Sequence, residues 1–136
     1  MKITVETFIQ SDLNQVWDTW NNPADIKRWN AAQDDWHTTH STVDLREGGK
    51  FTSRMEAKDG SEGFDFEGTY TRVVPQKTIE YRMSDGREAK VDFIERDRGV
   101  LVQETFDAET ENPPELQRSG WQAILDNFGR YVETKG

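Results

Sequence analysis

Residues Lys2–Gln10 alternate in character, with Ile3, Val5, Thr7 and Ile9 on one side and Lys2, Thr4, Glu6 and Phe8 on the other. A period of two in a β-branched stretch predicts a strand. The period then lengthens. Leu13, Val16, Trp17 and Trp20 fall at i, i+3, i+4 and i+7, the spacing of one helical face, and Ser11 stands where an N-cap is wanted. Asn22-Pro23 reads as a second cap followed by proline at the first helical position, with Asp25 in the first turn. The short helix that follows, PADIKRW, carries Ile26 and Trp29 on one side.

From Ser41 onward the period is two again. STVDL, KFTSRMEA, GFDFEGTYTRVV, TIEYRM, EAKVDFIER and VLVQETFDA read as successive strands. Between them lie Gly48-Gly49, Asp59-Gly60, Pro75-Gln76, Asp85-Gly86 and Asp97-Arg98-Gly99, turn signals of the kind that tight hairpins need. Phe51 alternates toward Met55. Phe64, Phe66, Gly68 and Tyr70 share a side, as do Ile79, Tyr81 and Met83. Ala89, Val91 and Phe93 form a further row, and so do Val102, Glu104 and Phe106. The stretch NAAQDDWHTTH carries no clear period. TTHSTVDL is compatible with one long edge strand or with two pieces.

ETENPPE ends the strands, with Asn112 as a candidate cap and two prolines suited to a helix start. Trp121, Ile124, Leu125, Phe128, Tyr131 and Val132 then mark one face of a closing helix from about Pro114 to Glu133. At ~1.5 Å per residue it is roughly 30 Å long, enough to cross a sheet. Gly129 within it costs about 1 kcal/mol relative to alanine unless a close backbone approach requires it. The order β-α-α-β₆-α predicts an α+β fold, a curved antiparallel sheet of six or seven strands with one apolar face. Two short helices follow the first strand, and the long C-terminal helix covers the concave side.

A chain of 136 residues fits a single domain over 1–136. Five Trp, seven Phe and three Tyr let a modest apolar content build a core. The absence of Cys removes disulfides, thiolate nucleophiles and zinc–thiolate sites. MKITVETFIQ does not look like a signal peptide, and no run is long and apolar enough to span a membrane. The expected location is therefore cytoplasmic, with no membrane association. A net charge of −9 with scattered basic residues argues against nucleic acid as a partner.

Four segments in register carry a resemblance: VWDTWNNPADIKRWN with Trp17, Pro23 and Trp29, LREGGKF, FEGTYTRVVPQKTIEY, and SGWQAILDNFGRYVE. Together they resemble the helix-grip superfamily of the birch pollen allergen and the START domains. The chain is most similar to the bacterial branch related to the C-terminal domain of the activator of the ninety-kilodalton heat-shock protein ATPase. The resemblance implies a sheet wrapped around the C-terminal helix. For function it implies binding of hydrophobic small molecules, polyketide cyclase-like chemistry, or a protein-interaction role with a protein partner. The sequence has no counterpart of the N-terminal domain that eukaryotic activators also carry, so co-chaperone activity is not carried over.

The residues expected to line a cavity between sheet and closing helix are Trp20, Phe51, Met55, Phe66, Tyr70, Tyr81, Phe93, Trp121, Leu125 and Phe128. A dense filling of the same space by these rings is the competing expectation. Glu104 interrupts an apolar row. Facing inward, its carboxyl has a raised pKa and serves as a polar anchor or an acid–base group. The competing expectations are a rim position, a bulge that turns it outward, or an ion pair with Arg72 or Arg82. Tyr81 is a second candidate anchor. Asp34, Asp35, His37 and His40 are metal-ligand types, but no third ligand is fixed by spacing, and the histidines are expected in an exposed loop. No nucleophile elbow, Gly-rich phosphate loop or cofactor motif occurs, so neither a catalytic residue nor a cofactor is assigned. The leading expectation is a non-catalytic binder of a small hydrophobic or aromatic ligand.

Overall fold

Alternation along Lys2–Ile9 becomes burial: Ile3, Val5 and Ile9 are buried, while Lys2, Thr4 and Glu6 are exposed. This strand, β1, opens the computed structural model, which describes residues 1–135. Helices α1 (Leu13–Asn21) and α2 (Pro23–Trp29) follow. Next come strands β2 (Trp36–Val43), β3 (Lys50–Ala57), β4 (Gly63–Val74), β5 (Thr78–Met83), β6 (Glu88–Arg96) and β7 (Gly99–Asp107), and then helix α3 (Pro114–Lys135). All seven strands form one antiparallel sheet in the order β1-β7-β6-β5-β4-β3-β2. The fold is α+β, the helix-grip arrangement expected from the element order. No helix among the described residues is long and apolar enough to cross a membrane.

Local chemistry accounts for most boundaries. Asp12, not Ser11, caps α1: its Oδ1 accepts from the Gln15 N–H at 2.8 Å, the reach of a cap to the third helical residue. Asn22 serves two helices, its N–H closing α1 on the Asp18 carbonyl and its side chain accepting from the Ala24 N–H. The segment around His37 and His40 is not a loop. It belongs to β2, one continuous edge strand with a bulge between Thr38 and His40. Its alternation is hard to read because the inward Thr38 is polar, donating to the Asn30 carbonyl at 2.7 Å.

Helix α3 begins without the Asn112 side-chain cap. The Asn112 amide donates instead to Glu109, while the buried Gln117 side chain ties the turn, accepting from the Glu109 N–H and donating to the Glu109 and Asn112 carbonyls. The helix runs alongside β1 rather than across the sheet. Arg118 donates to the Thr4 carbonyl at 2.8 Å, Gln122 to the Glu6 carbonyl at 2.9 Å, and the Gln10 N–H donates to Glu133 at 2.9 Å. These bonds occupy backbone groups that a free sheet edge would otherwise expose. They also leave the concave face of β3–β6 short of cover. The aromatics of α1 and α2 fill part of the gap: Trp20 and Trp29 lie 4.9 and 4.8 Å from Phe128, and Phe93 packs 5.1 Å from Trp17.

Candidate functional site

The rest of the gap is a cavity of about 300 Å³. Its floor is the concave sheet: Phe51, Ser53 and Met55 of β3, Phe66 and Tyr70 of β4, Ile79 and Tyr81 of β5, and Glu104 of β7. Trp20 and Asn21 of α1, Ile26 and Trp29 of α2, and Trp121 and Ile124 of α3 form the opposite wall. The register explains the floor. Phe51 faces Gly68 across the β3–β4 pair, and a Cβ on that glycine would lie 2.6 Å from the Phe51 ring. The missing side chain lets the ring lie over β4, 5.3 Å from Tyr70 and 5.0 Å from Tyr81. Trp121 stacks on Phe106 at 3.8 Å with the planes 9° apart, which turns it toward Phe66 at 6.2 Å.

Glu104 is the outstanding polar group. It is 6 % exposed, and its carboxyl forms no hydrogen bond or ion pair with the described residues. Burial pushes its pKa up to about 8. The alternative ion pair with Arg72 or Arg82 does not form: Arg72 pairs with Glu80 at 3.4 Å, and Arg82 lies 3.7 Å from Glu88, on the outer face. Burial also raises the Tyr81 phenol, reinforced by the nearby Glu104 and Tyr70 and opposed by Arg87. The Tyr70 phenol is raised by burial and then by Asp44. Arg87 reaches the cavity from the β5–β6 turn, with Nε 2.8 Å from Asp85 and Nη1 3.2 Å from the Asp107 carbonyl.

Of the residues expected at the cavity, Trp20, Phe51, Met55, Phe66, Tyr70, Tyr81, Glu104 and Trp121 line it. Phe93, Leu125 and Phe128 do not; they lie behind the wall in the core, Leu125 and Phe128 with no exposure at all. The wide aromatic face of α3 serves two places, because the cavity reaches only the first half of the helix. Ser53 was readable from its place between Phe51 and Met55. Arg87 was not, since it follows the Asp85-Gly86 turn with no period to point it inward. His37 borders a separate polar groove of about 510 Å³ with Lys27, Arg28 and Lys58, while His40 is solvent-exposed beyond the bulge.

A curved sheet, a helix gripped along its edge and a partly open apolar hollow between them define a helix-grip protein with a cavity. The chain belongs to the Activator of Hsp90 ATPase homolog 1-like family, whose model matches residues 10–133. It is similar to an AHSA1-like protein of Aeromonas hydrophila solved by NMR, at 55% identity and a TM-score of 0.94, over 100% of this chain and 94% of that one. A Cytophaga hutchinsonii protein is 45% identical with a TM-score of 0.85, over 98% of this chain and 93% of the other. A Chromobacterium violaceum protein at 20% identity shares the fold, with a TM-score of 0.86 and 98% of each chain covered. No functionally curated protein matches the chain.

Proposed function

We propose that this protein binds a small apolar or aromatic ligand in the cavity between the sheet and α3, without transforming it. The observation that carries the reading is the unfilled hollow of about 300 Å³, walled by aromatic rings around the partnerless Glu104. Apolar lining with a few fixed polar groups is the usual make-up of a small-molecule site, and the volume lies at the lower end of the range for such sites, ~300–1,000 Å³. It suits a mono- or bicyclic ligand. Native mass spectrometry against a panel of fatty acids, flavonoids and polyketide-like aromatics tests this. A stoichiometric adduct that Trp121→Ala weakens is the expected result. A folded protein that binds no compound at high micromolar concentration overturns it.

A second reading, acid–base chemistry on a polyketide-like substrate, is favoured by Glu104, a buried acid that holds its proton at neutral pH. Conversion of a bound panel compound, abolished by Glu104→Gln, would move that reading to first place. A protein-docking role has less support. Among the described residues, the exposed large apolar side chains apart from Met1 are Phe8, Phe64 and Leu116, on three different elements.

A further inference from the structure

The cavity wall holds one acidic and one basic side chain among the described residues, and they are not paired with each other. Glu104 brings an acidic group into a hollow where no side chain of the described residues bonds to it. Arg87 is the single basic side chain in the wall among the described residues, and its guanidinium already serves Asp85 and the Asp107 carbonyl. The titratable and charged groups facing Glu104 across the cavity are Tyr70 from β4, Tyr81 from β5 and Arg87 from the β5–β6 turn. Its cross-strand neighbours, Val5 on β1 and Val91 on β6, are apolar, and Trp121 and Ile124 of α3 carry no charge. The hydroxyls of Ser53, Tyr70 and Tyr81 also make no hydrogen bond to the described residues, so their oxygens are free to accept from a ligand seated beside Glu104.

We propose that the cavity selects ligands whose polar end is a protonated amine on an apolar or aromatic body, with the ammonium seated on the Glu104 carboxylate. The proposal rests on the cavity reading and adds the chemical class of the ligand. A neutral ligand needs only a hydrogen-bond donor at position 104, which a glutamine would provide without the cost of burying an ionisable acid. What a glutamate adds is negative charge, and in a desolvated hollow that charge is favourable only opposite a cation. An ammonium brings three N–H donors, which the carboxylate and the partnerless hydroxyl oxygens can accept. The aromatic wall takes the apolar body.

The proton balance gives the proposal a sign. Without ligand the Glu104 carboxyl keeps its proton; with an ammonium seated on it the carboxylate forms, and that proton leaves to solvent. Amine affinity therefore rises with pH, by up to about tenfold per unit, until Glu104 ionises without ligand. A neutral ligand accepting a hydrogen bond from the protonated acid behaves in the opposite way, losing affinity as Glu104 ionises.

Isothermal titration calorimetry with phenethylamine, phenethyl alcohol and hydrocinnamate separates the cases. These probes share a phenethyl body and end in a cation, a neutral hydroxyl and an anion. The expected result is that phenethylamine binds at least about tenfold more tightly than the alcohol, with close to one proton released per amine bound, seen as a dependence of the heat on the buffer. Glu104→Gln should lose both the preference for the amine over the alcohol and the proton release. The proposal is overturned if the alcohol or hydrocinnamate binds as well as the amine, or if amine affinity falls as pH rises toward neutrality. In those outcomes the cavity reading survives. If none of the probes binds the folded protein, and the wider panel also gives no adduct, the cavity reading fails and this proposal with it.

Discussion

The Tyr131 hydroxyl donates to the Asp25 carboxylate at 2.6 Å, joining the last turns of α3 to the first turn of α2. Lys135 binds the other carboxylate oxygen at 2.8 Å. Burial alone would raise the Asp25 pKa, but the bonds from Lys135 and Tyr131 with the charges of Lys135 and Arg28 outweigh it, and the net shift is downward. Tyr131→Phe should cost about 1–2 kcal/mol, the worth of a hydrogen bond to a charged group in a half-buried setting. A carboxyl whose folded pKa is depressed contributes stability above its unfolded pKa and loses it as pH falls through the folded value. The gap between wild type and Tyr131→Phe should therefore narrow in acid. Urea unfolding at neutral pH and near the carboxylate pKa range checks both statements, and a gap that does not change with pH would remove the linkage argument.

Two glycines make opposite predictions for the same substitution. At Gly68 an added Cβ would lie 2.6 Å from the Phe51 ring and 2.9 Å from the Arg82 carbonyl, so the ring must move off β4. Gly68→Ala should destabilise by about 1–3 kcal/mol, the usual range for overpacking, and should disturb ligand uptake, since Phe51 is part of the cavity floor. At Gly129 the nearest atom, Thr7 Oγ1, is 3.4 Å away, an ordinary contact, and the residue is in mid-helix. Gly129→Ala should stabilise by about 0.5–1 kcal/mol through helix propensity and a less flexible unfolded chain. Thermal melts of the two variants should shift in opposite directions.

Much of this architecture was legible in the chain. The period-two runs of β1 and β3–β7 and the i, i+3, i+4 spacing of α1 and α3 are strong because each element buries one face and exposes the other. β2 was harder: at the sheet edge a polar Thr38 occupies an inward place by bonding to Asn30, and the hydrophobic signal vanishes. Glu104 was legible as a carboxylate in an apolar row. Its isolation was not, because the alternatives Arg72 and Arg82 are excluded only by a register that puts them on the outer face beside Glu80 and Glu88.

Trp121 and Phe128 lie on the same side of α3, two turns and so about 10 Å apart, yet only Trp121 reaches the cavity. Their truncations should separate binding from folding. Phe128 is fully buried between Trp20 and Trp29, so Phe128→Ala should cost about 3–5 kcal/mol. Trp121 is half-buried against Phe106 and Phe66, and Trp121→Ala should cost less in stability while weakening ligand binding more strongly. Unfolding and adduct titration on both variants measure the two effects. Equal losses of binding per unit of lost stability would mean that Trp121 acts only as core.

Glu104 should set a pH dependence opposite in sign to that of Asp25. Its folded pKa is raised from 4.5 to about 8 by burial. Between those values the folded protein keeps a proton that the unfolded chain has released, so stability falls as pH rises through the window and levels off above it. The full span corresponds to a few kcal/mol in order of magnitude. Glu104→Gln keeps the shape and cannot ionise, so it should match wild type near the acid end and become progressively more stable than wild type toward about pH 8. The variants share every other titrating carboxylate, including Asp25 and Asp107, so the difference between their unfolding curves isolates position 104. A constant difference across the window would mean that Glu104 ionises as readily in the folded protein as in the unfolded one. The carboxylate would then have a compensating partner in the empty cavity, and the demand for a cationic ligand would lose its physical basis.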